Sequence, residues 1–512
     1  MRPVCCSRQG VPPHATYLFK HALVQDAAYG TLLREPRRAL HARIAETLES
    51  QFAEIGENQP ELLARHYTEA DLIEKAAILW GKAGQRSLER SALVEAAEQL
   101  TRALDQIATL PATPRLRREE IKLQVALITP LMHVKGFAAP ETKAVVERAR
   151  LLIEHAEALG EPPEDPLLLF SVLAGVCAAN YVAFKGDVMR ELAAQFLALA
   201  EKQRATVPLM LGHRLVGMSL LCTGDIAEGR AHYDQALALY DPAEHRSLAT
   251  RSGQYARVTV LFERSRALWM LGYPEAALAD ADQALSEARE SGQAATLMDT
   301  LAVTNITRIL CGNFATANAQ FDELDVLADE KGALFWKAAG MAMQGWVLAT
   351  TGKASDAVQM ITSGLTAFRS TGATATIPSS LAYLARVAYA ELYQFDDAWN
   401  CIGEAATAVE TTKERWWEAE VHRVAGEIAL KSPGPDAAKA EGYFERALAV
   451  ALKQQAKSWE LRAAMSMARL WRDQGKRDEA RDLLAPVYNW FTEGFDTLDL
   501  KEAKALLDEL HA

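Results

Sequence analysis

The chain offers few residues whose types and spacing could carry out catalysis. A phosphate-binding P-loop needs Gly-x4-Gly-Lys-Ser/Thr, so that backbone amides cradle the phosphate and the hydroxyl reaches magnesium. The stretch "TTGKAS" supplies Gly352 and Lys353, but Ala354 lacks the hydroxyl and Val347 stands where the first glycine should be. We therefore interpret this stretch as a turn between helices.

Histidines and cysteines are the next candidates, as metal ligands or redox groups. His21 and His41, taken with His14 or His66, lack the i, i+4 spacing that puts two ligands on one helix face. The six cysteines show no CxxC spacing, which favours buried thiols in a reducing compartment over disulfides or zinc. We expect no metal, no cofactor, no catalysis by this chain alone and a cytoplasmic location.

Arginine and aromatic side chains form the best candidate for a binding surface. In the repeat register described below, ten of them fall on the first helix of successive hairpins, which lines the concave face in repeats of this kind. Arginine binds carboxylate or phosphate through paired hydrogen bonds, and aromatic rings add contact area, so this set suggests a groove for acidic peptides or an anionic ligand. Alternatively, the aromatics pack between hairpins and the arginines pair with neighbouring Glu. The ten residues are Arg214, Phe262, Arg266, Trp269, Trp346, Tyr383, Arg423, Arg462, Arg469 and Arg472.

Two shorter stretches and the net charge refine this expectation. In "ERWWEAE", Trp416 and Trp417 would point about 100° apart on a helix, so we expect one in the core and one half-exposed. The cluster "REPRR" at 34–38 is interpreted as a solvated helix end. With 67 Asp plus Glu against 55 Lys plus Arg and a net charge of -12, we expect no direct nucleic-acid partner.

Glycines recur at a regular spacing over most of the chain. A glycine that follows one amphipathic helix and precedes an Ala-rich helix recurs about every 40 residues, which predicts the same structural position in successive helical hairpins. The stretches "LYQFDDAWNCIGEA" and "KSPGPDAAKAEGYFERAL" fill the gap between the last two occurrences. These glycines are Gly186, Gly224, Gly272, Gly312, Gly352 and Gly475.

The second helix of these hairpins resembles the tetratricopeptide repeat, which carries Ala-x3-aromatic-x2-Ala. Small residues let two antiparallel helices approach, while the larger residue fills the groove of the next hairpin. Strand-like alternation is essentially absent, and Pro and Gly fall between helices. We predict an all-α fold, a superhelical array of tetratricopeptide-like hairpins of about 40 residues. The match is clearest at Ala440, Phe444 and Ala447, at Gly229, Tyr233 and Ala236, and at Trp80, Gly84, Ala96, Leu100 and Ala103.

One apolar segment has to be considered as a membrane-spanning helix. Residues 166–184 are uncharged apart from their flanks and about long enough to span a bilayer. Asn180, Gly175, several alanines and a fit to the repeat register indicate a buried helix instead. We expect no membrane contact.

The opening stretch "YLFKHALVQDAAYGTLLREPRR" predicts an amphipathic helix near the start of the chain. On a helical wheel Phe19, Ala22, Leu23 and Leu33 share one face, and Asp26 lies on that same face, where a lone carboxylate would be costly without a donor. Such a helix needs a packing partner.

The stretch closely resembles a segment of large bacterial proteins that join a class III nucleotide cyclase, or another output domain, to an NTPase and a tetratricopeptide-like C-terminal region. The slightly long, degenerate repeats are also similar to the superhelical sensor arms of signal-transducing ATPases such as the maltose-regulon activator. The family's cyclase and NTPase modules should come before "GVPP", where only about ten residues stand. Further similar stretches are "LHARIAETLE" at 40–49, "ELLARHYTEA" at 61–70, "PLMHVKGFAAPET" at 130–142 and the long run at 457–510.

The resemblance implies a sensor and interaction module without catalytic function of its own. It assigns residues 1–56 to a remnant of the segment after an NTPase and winged-helix module, 57–160 to the first degenerate hairpins, and 161–512 to a tetratricopeptide-like superhelix with C-terminal capping helices. The expected partner is a protein or peptide, such as an NTPase or cyclase module. A stand-alone scaffold that binds acidic peptides and the sensor arm of a transcriptional activator are the alternatives.

Overall fold

The computed structural model describes residues 6–9, 16–19, 27, 29–161, 165–242, 255–389 and 391–511. Almost all of these residues are helical, as the repeat pattern predicted, and the chain folds as an all-α array of helical hairpins. The array divides into two compact units. The first comprises Met1–Arg86 and Glu98–Leu116, and the second comprises Ser87–Ala97 and Arg117–Ala512.

Near the N-terminus the chain forms two short strands, which the sequence did not predict. β1 (Cys6–Gln9) pairs antiparallel with β2 (Thr16–Phe19), and Cys6 lies opposite Phe19. The helix predicted from Tyr17 onward is therefore wrong at its start, because the aromatic and apolar run at 17–19 suits an extended strand once a second strand pairs with it. The predicted face residues 22, 23 and 26 lie outside the described part of the chain.

The predicted opening helix is interrupted, since residues 27, 29 and 30 are helical and residues 31–33 are not. The first long helix begins at Arg34, and Leu33 before it is 77% exposed. Arg38 forms an ion pair with Asp71, so part of the basic cluster at this helix end is neutralised. The helices are α1 (Arg34–Gln51), α2 (Ala53–Asn58), α3 (Pro60–Glu69), α4 (Ile73–Glu89) and α5 (Leu93–Ile107), the last two shared across the boundary with the second unit.

The second unit contains the remaining helices as consecutive hairpins. They are α6 (Pro114–Val134), α7 (Pro140–Ala158), α8 (Leu167–Val182), α9 (Gly186–Gln203), α10 (Thr206–Thr223), α11 (Ile226–Ala238), α12 (Ala256–Met270), α13 (Pro274–Ser291), α14 (Ala294–Leu310), α15 (Phe314–Lys331), α16 (Leu334–Thr350), α17 (Ala354–Ser370), α18 (Ile377–Tyr383), α19 (Phe395–Thr412), α20 (Glu418–Lys431), α21 (Ala437–Lys453), α22 (Lys457–Asp473), α23 (Arg477–Asn489) and α24 (Leu498–His511). A π-helical turn, Leu384–Tyr389, continues α18.

The repeating glycine occupies the turn within a hairpin. Gly224, Gly272, Gly312, Gly352 and Gly475 all have φ between 79° and 102°, the left-handed region that side chains disfavour. Gly186 is the exception to the predicted alignment, since it is the first residue of α9. It is required for a different reason: a Cβ there would lie 2.8 Å from the backbone oxygen of Thr412.

The aromatic and alanine positions pack as the repeat resemblance predicted. Tyr233, Phe444, Ala440 and Ala447 are each 0% exposed, so the larger side chain fills the groove between helices that the small residues bring together. The α8 segment is likewise internal, with Phe170 in edge-to-face contact with Phe196 at 5.1 Å between ring centroids. Among the described residues, no helix combines the length and hydropathy needed to cross a bilayer.

Helices of the second unit that are far apart in sequence meet along a line that we call the seam. It joins the ends of α8, α10 and α12 to residues 374–376, 415–416 and 457–458. The Arg415 amide donates to the Cys222 carbonyl at 2.9 Å, and the Ser458 hydroxyl donates to the Trp269 carbonyl, 189 residues away. Within the second unit, the chain thus brings together segments that are distant in the sequence.

Candidate functional site

Aromatic side chains fill the interior between the inner helices. Trp417 is 1% exposed, and its ring centroid lies 4.8 Å from that of Trp459 and 6.1 Å from that of Trp346. Trp346 stacks on Tyr383 at 5.0 Å, and Trp269 contacts Trp459 at 4.7 Å. The predicted binding aromatics therefore pack on one another.

Both tryptophans of "ERWWEAE" are buried, so the expectation of one half-exposed ring is wrong. Trp416 and Trp417 are each 1% exposed. They precede α20, which begins at Glu418. The 100° separation of neighbours on a helix therefore does not apply, and both rings turn toward the interior.

One group of charged side chains lies between α10, α12 and α14. Arg214 donates to Glu263 at 2.9 Å, and Arg266, 2% exposed, lies over the Trp416 ring at 5.7 Å from its centroid. Burial raises the pKa of Glu263 although both arginines oppose it, and burial raises the pKa of the nearby Asp299 to about 7. Phe262, which lies on α12 next to Glu263, is 3% exposed.

A second group of charges lies between α20, α22 and α24. Arg423 donates to both oxygens of Glu420 at 2.6 and 2.7 Å and also pairs with Glu427. Arg462 donates to Asp499 at 2.8 Å. Burial would raise the pKa of Glu420, but Arg423, with help from Arg462 and Arg386, outweighs it, so the pKa of this carboxyl is held below its usual value.

Two of the ten predicted residues reach the surface. The Arg469 side chain is 38% exposed and pairs with Glu502 at 2.8 Å, and that of Arg472 is 33% exposed and pairs with Glu509 at 2.7 Å. The other eight are buried or nearly so and contact the protein's own carboxylates and rings. The packing alternative describes these contacts, and a role of the set in partner binding stays a prediction.

The structure also forms an open pocket at the seam, which the sequence did not predict. Its volume is about 500 Å³, and it lies where the start of α9 and the turn before α11 meet the ends of α19 and α21. Local sequence could not reveal it, since its two walls are contributed by segments about 190 residues apart. The lining residues are Asp187, Arg190, Thr223, Gly224, Asp225, Lys413, Arg415, Glu418, Ala449, Val450, Lys453 and Gln454.

Only part of the pocket's charge is neutralised internally. Arg190 donates to Asp225 at 2.6 Å and to the Thr223 hydroxyl at 3.0 Å. Within the described residues, Lys413, Arg415 and Lys453 have no carboxylate within salt-bridge distance. The pocket therefore presents three cations to whatever occupies it.

The structure brings together two of the histidines that were considered as metal ligands. His41 and His66 come together across two helices with 2.8 Å between their Nδ1 atoms, and burial lowers the pKa of His66. In the part of the chain that is described, no three His, Cys, Asp or Glu side chains form a group that could hold a metal ion. His14 and His21 lie outside that part.

The remaining chemical candidates are structural. Gly352 and Lys353 lie in the turn between α16 and α17, as interpreted from the incomplete P-loop. Cys177, Cys222 and Cys311 are buried free thiols, and burial raises the pKa of the Cys222 thiol to about 12. Such thiols are unreactive.

Glu414 is expected to make stability depend on pH. Its side chain is 1% exposed, and its Oε1 accepts hydrogen bonds from Trp416 Nε1 and from the Thr376 amide, both at 2.9 Å. Burial raises its pKa from 4.5 to about 7. The protonated form is therefore favoured by folding, and this contribution is complete below the unfolded pKa and lost as pH rises through about 7.

We predict that Glu414→Gln flattens this dependence. In the wild type, the contribution of Glu414 to the free energy of unfolding should fall by about 3 kcal/mol between about pH 5 and about pH 8. The variant has no carboxyl here, so this fall should be missing from its pH dependence. Urea denaturation across this pH range measures it. Glu445→Gln, at an exposed position of α21, is the matched control and should keep the wild-type slope. An unchanged slope in Glu414→Gln would show that this carboxyl is ionised in the folded protein.

Comparisons with known proteins show the fold. No family model matches the chain. An uncharacterized protein of Rhizobium meliloti (strain 1021) is 24% identical over 422 residues, which cover 81% of this chain and 40% of that protein. The crystal structure of a Rap protein complexed with competence and sporulation factor superposes with a TM-score of 0.50 at 12% identity, covering 77% of this chain and 99% of that one. The fold is thus a tetratricopeptide-like helical repeat, and the chain spans less than half the length of the curated relative.

Proposed function

We propose that this chain is a non-catalytic module that binds a partner or ligand for a bacterial signal-transduction protein of the cyclase or ATPase type. The observation that carries the proposal is the seam pocket, because it is open, about 500 Å³ in volume and lined by three cations that form no salt bridge among the described residues. Pockets of this size accommodate small ligands or a short peptide segment.

The signalling context requires further domains, and the curated relative is long enough to hold them. The match covers 81% of this chain but only 40% of that protein, which leaves room in the relative for further domains. In this proposal the repeat array senses, and an NTPase or cyclase module elsewhere responds. Residues 1–56 would then follow the NTPase, as the family resemblance implies.

The alternative is a scaffold that binds acidic peptides without any such module. Arg469 and Arg472 favour it, because their side chains are partly exposed and their ion pairs lie at the surface. Surface pairs contribute at most about 1 kcal/mol, so an acidic partner can exchange for Glu502 and Glu509 at little cost. The sensor arm of a transcriptional activator is a third form of the same binding function and would need a DNA-binding partner.

Thermal denaturation of the full chain tests the binding function. A ligand that binds the folded state raises the melting temperature in proportion to the logarithm of its concentration. The panel would hold acidic hexapeptides, neutral hexapeptides of matched length, free amino acids and dipeptides. We expect at least one class to raise the melting temperature. If every class leaves it unchanged at millimolar concentration, the binding proposal is wrong.

A second measurement separates the scaffold from the signalling module. Arg469→Glu with Arg472→Glu should abolish any stabilisation by acidic peptides if those arginines form the scaffold's site. If the stabilising compound instead acts equally on this double variant, the exposed arginines are not the site and the scaffold alternative loses its basis.

A further inference from the structure

We propose that the seam pocket binds a small zwitterion that carries both a carboxylate and an ammonium group, the chemistry shared by an amino acid and a short peptide. This inference deepens the proposed function and rests on it, because it names the class of ligand for the same pocket. It is carried by charges of both signs, by one buried amide with an unused acceptor, and by the pocket's dimensions.

The cationic wall comes from the later of the two segments. Lys413 follows the end of α19, Arg415 lies two residues on, and Lys453 is the last residue of α21. None of the three has a carboxylate within salt-bridge distance among the described residues. A ligand carboxylate would find charge-assisted donors here, which are stronger than neutral ones.

The same pocket presents carboxylates that form no salt bridge within the described ranges. Asp187, in the first turn of α9, and Glu418, at the start of α20, both line it, and neither is within salt-bridge distance of a lysine or arginine there. Burial raises the pKa of Glu418, while Arg415 and Lys453 act against that rise. A purely anionic ligand would be repelled by these groups, whereas an ammonium group would be attracted.

Gln454 supplies the most direct sign of a missing partner. The residue is 6% exposed, and its Nε2 donates to the Arg415 carbonyl at 2.9 Å. Its Oε1 is buried and has no hydrogen-bond partner, a state that costs about 1–3 kcal/mol. An N–H donor on a ligand would satisfy this oxygen once the side chain turned it toward the pocket.

The pocket's position explains why such a ligand would matter to the fold. Arg190, Thr223 and Gly224 form one wall, and Arg415 and Gln454 form the other, on opposite sides of the seam. A ligand with one charge on each wall would therefore hold together two segments that are distant in the sequence. Ligand binding should therefore increase the stability of the second unit.

Calorimetric titration with matched probes tests the proposal. The probes are the twenty free amino acids, a mixture of dipeptides, and the N-acetyl and C-amide forms of whichever compounds bind. We expect the zwitterion to bind and each blocked form, which has lost one charge, to bind about ten-fold more weakly. Tighter binding of amino acids or of dipeptides identifies the source of the ligand.

Two substitutions assign the binding to the seam. Lys453→Glu and Asp187→Asn, both at exposed positions, should each weaken binding about ten-fold. Lys202→Glu is the matched control. Like Lys453, Lys202 is an exposed lysine in the last turn of its helix, α9, but it does not line the pocket. It should bind as the wild type does.

The outcomes separate this inference from the function on which it rests. If blocked forms bind as well as the zwitterion, or if Lys453→Glu binds like the wild type, the seam site is wrong. Retained stabilisation of Lys453→Glu by acidic peptides would then leave the binding function standing. If no zwitterion and no peptide binds the wild-type chain, both proposals are overturned.

Discussion

Replacement of Trp417 by alanine is expected to lower the free energy of unfolding by about 3–5 kcal/mol. The side chain is 1% exposed, and it lies at the centre of the interior aromatic group. Its ring centroid is 4.8 Å from that of Trp459, 5.0 Å from that of Trp416 and 5.9 Å from that of Tyr383. Alanine would leave a cavity among large rigid rings that cannot collapse to fill it.

Urea denaturation followed by tryptophan fluorescence measures this loss. Trp417→Phe should cost clearly less, because a phenyl ring keeps most of the contacts. Tyr393→Ala is the control, since that aromatic side chain is 80% exposed and its removal should change stability by no more than about 0.5 kcal/mol. A loss below about 1 kcal/mol in Trp417→Ala would mean that the interior is not packed as described.

Removal of Arg423 is the second change with a large expected effect. Arg423→Ala should cost about 3–5 kcal/mol, because it leaves Glu420 as a buried carboxylate without its main partner. Arg423 is 5% exposed and Glu420 is 4% exposed. Two hydrogen bonds of 2.6 and 2.7 Å join them. The free energy of unfolding at neutral pH measures the effect.

A double-mutant cycle and a surface pair sharpen this test. Arg423→Ala combined with Glu420→Ala should cost less than the sum of the single changes, because each single change leaves a buried charge without the partner that makes two hydrogen bonds to it. Arg469→Ala, which breaks a partly exposed pair with Glu502, should cost at most about 1 kcal/mol. Equal losses in Arg423→Ala and Arg469→Ala would show that the inner pair is hydrated.

The same pair has a pH dependence opposite to that of Glu414. Because Arg423 holds the pKa of Glu420 below its usual value, the pair contributes stability above the unfolded pKa of the carboxyl, and this contribution is lost as pH falls through the folded pKa. Glu414 contributes below its raised pKa instead. The two groups together therefore place the highest stability in the mildly acidic range.

These interior contacts bear on where a partner can bind. The arginines and aromatics on the inner helices stabilise the array through contacts with one another and with buried carboxylates, as with Arg214 and Glu263 at 2.9 Å. Cations that form no salt bridge within the described part of the chain lie at the seam pocket instead, at Lys413, Arg415 and Lys453. A search for ligands should therefore begin with the pocket and with the surface arginines Arg469 and Arg472.

The sequence by itself determined the helices, their turns and their packing positions. The glycine that recurs about every 40 residues, with φ of 102° at Gly224 and 84° at Gly312, and the alanine and aromatic positions around Phe444 could be predicted because each acts within one hairpin. The exceptions, at Thr16–Phe19 and at Trp416, arise where pairing with another strand or the end of a helix overrides local periodicity.

Only the tertiary structure decided which charges are paired and which are available. Ser458 meets Trp269 across 189 residues of sequence, and Gly186 approaches Thr412 so closely that no side chain fits. Such contacts depend on small rotations between successive hairpins, which add up over many repeats and leave no local sequence signal. The burial of Arg423 and the formation of the seam pocket follow from that accumulated geometry.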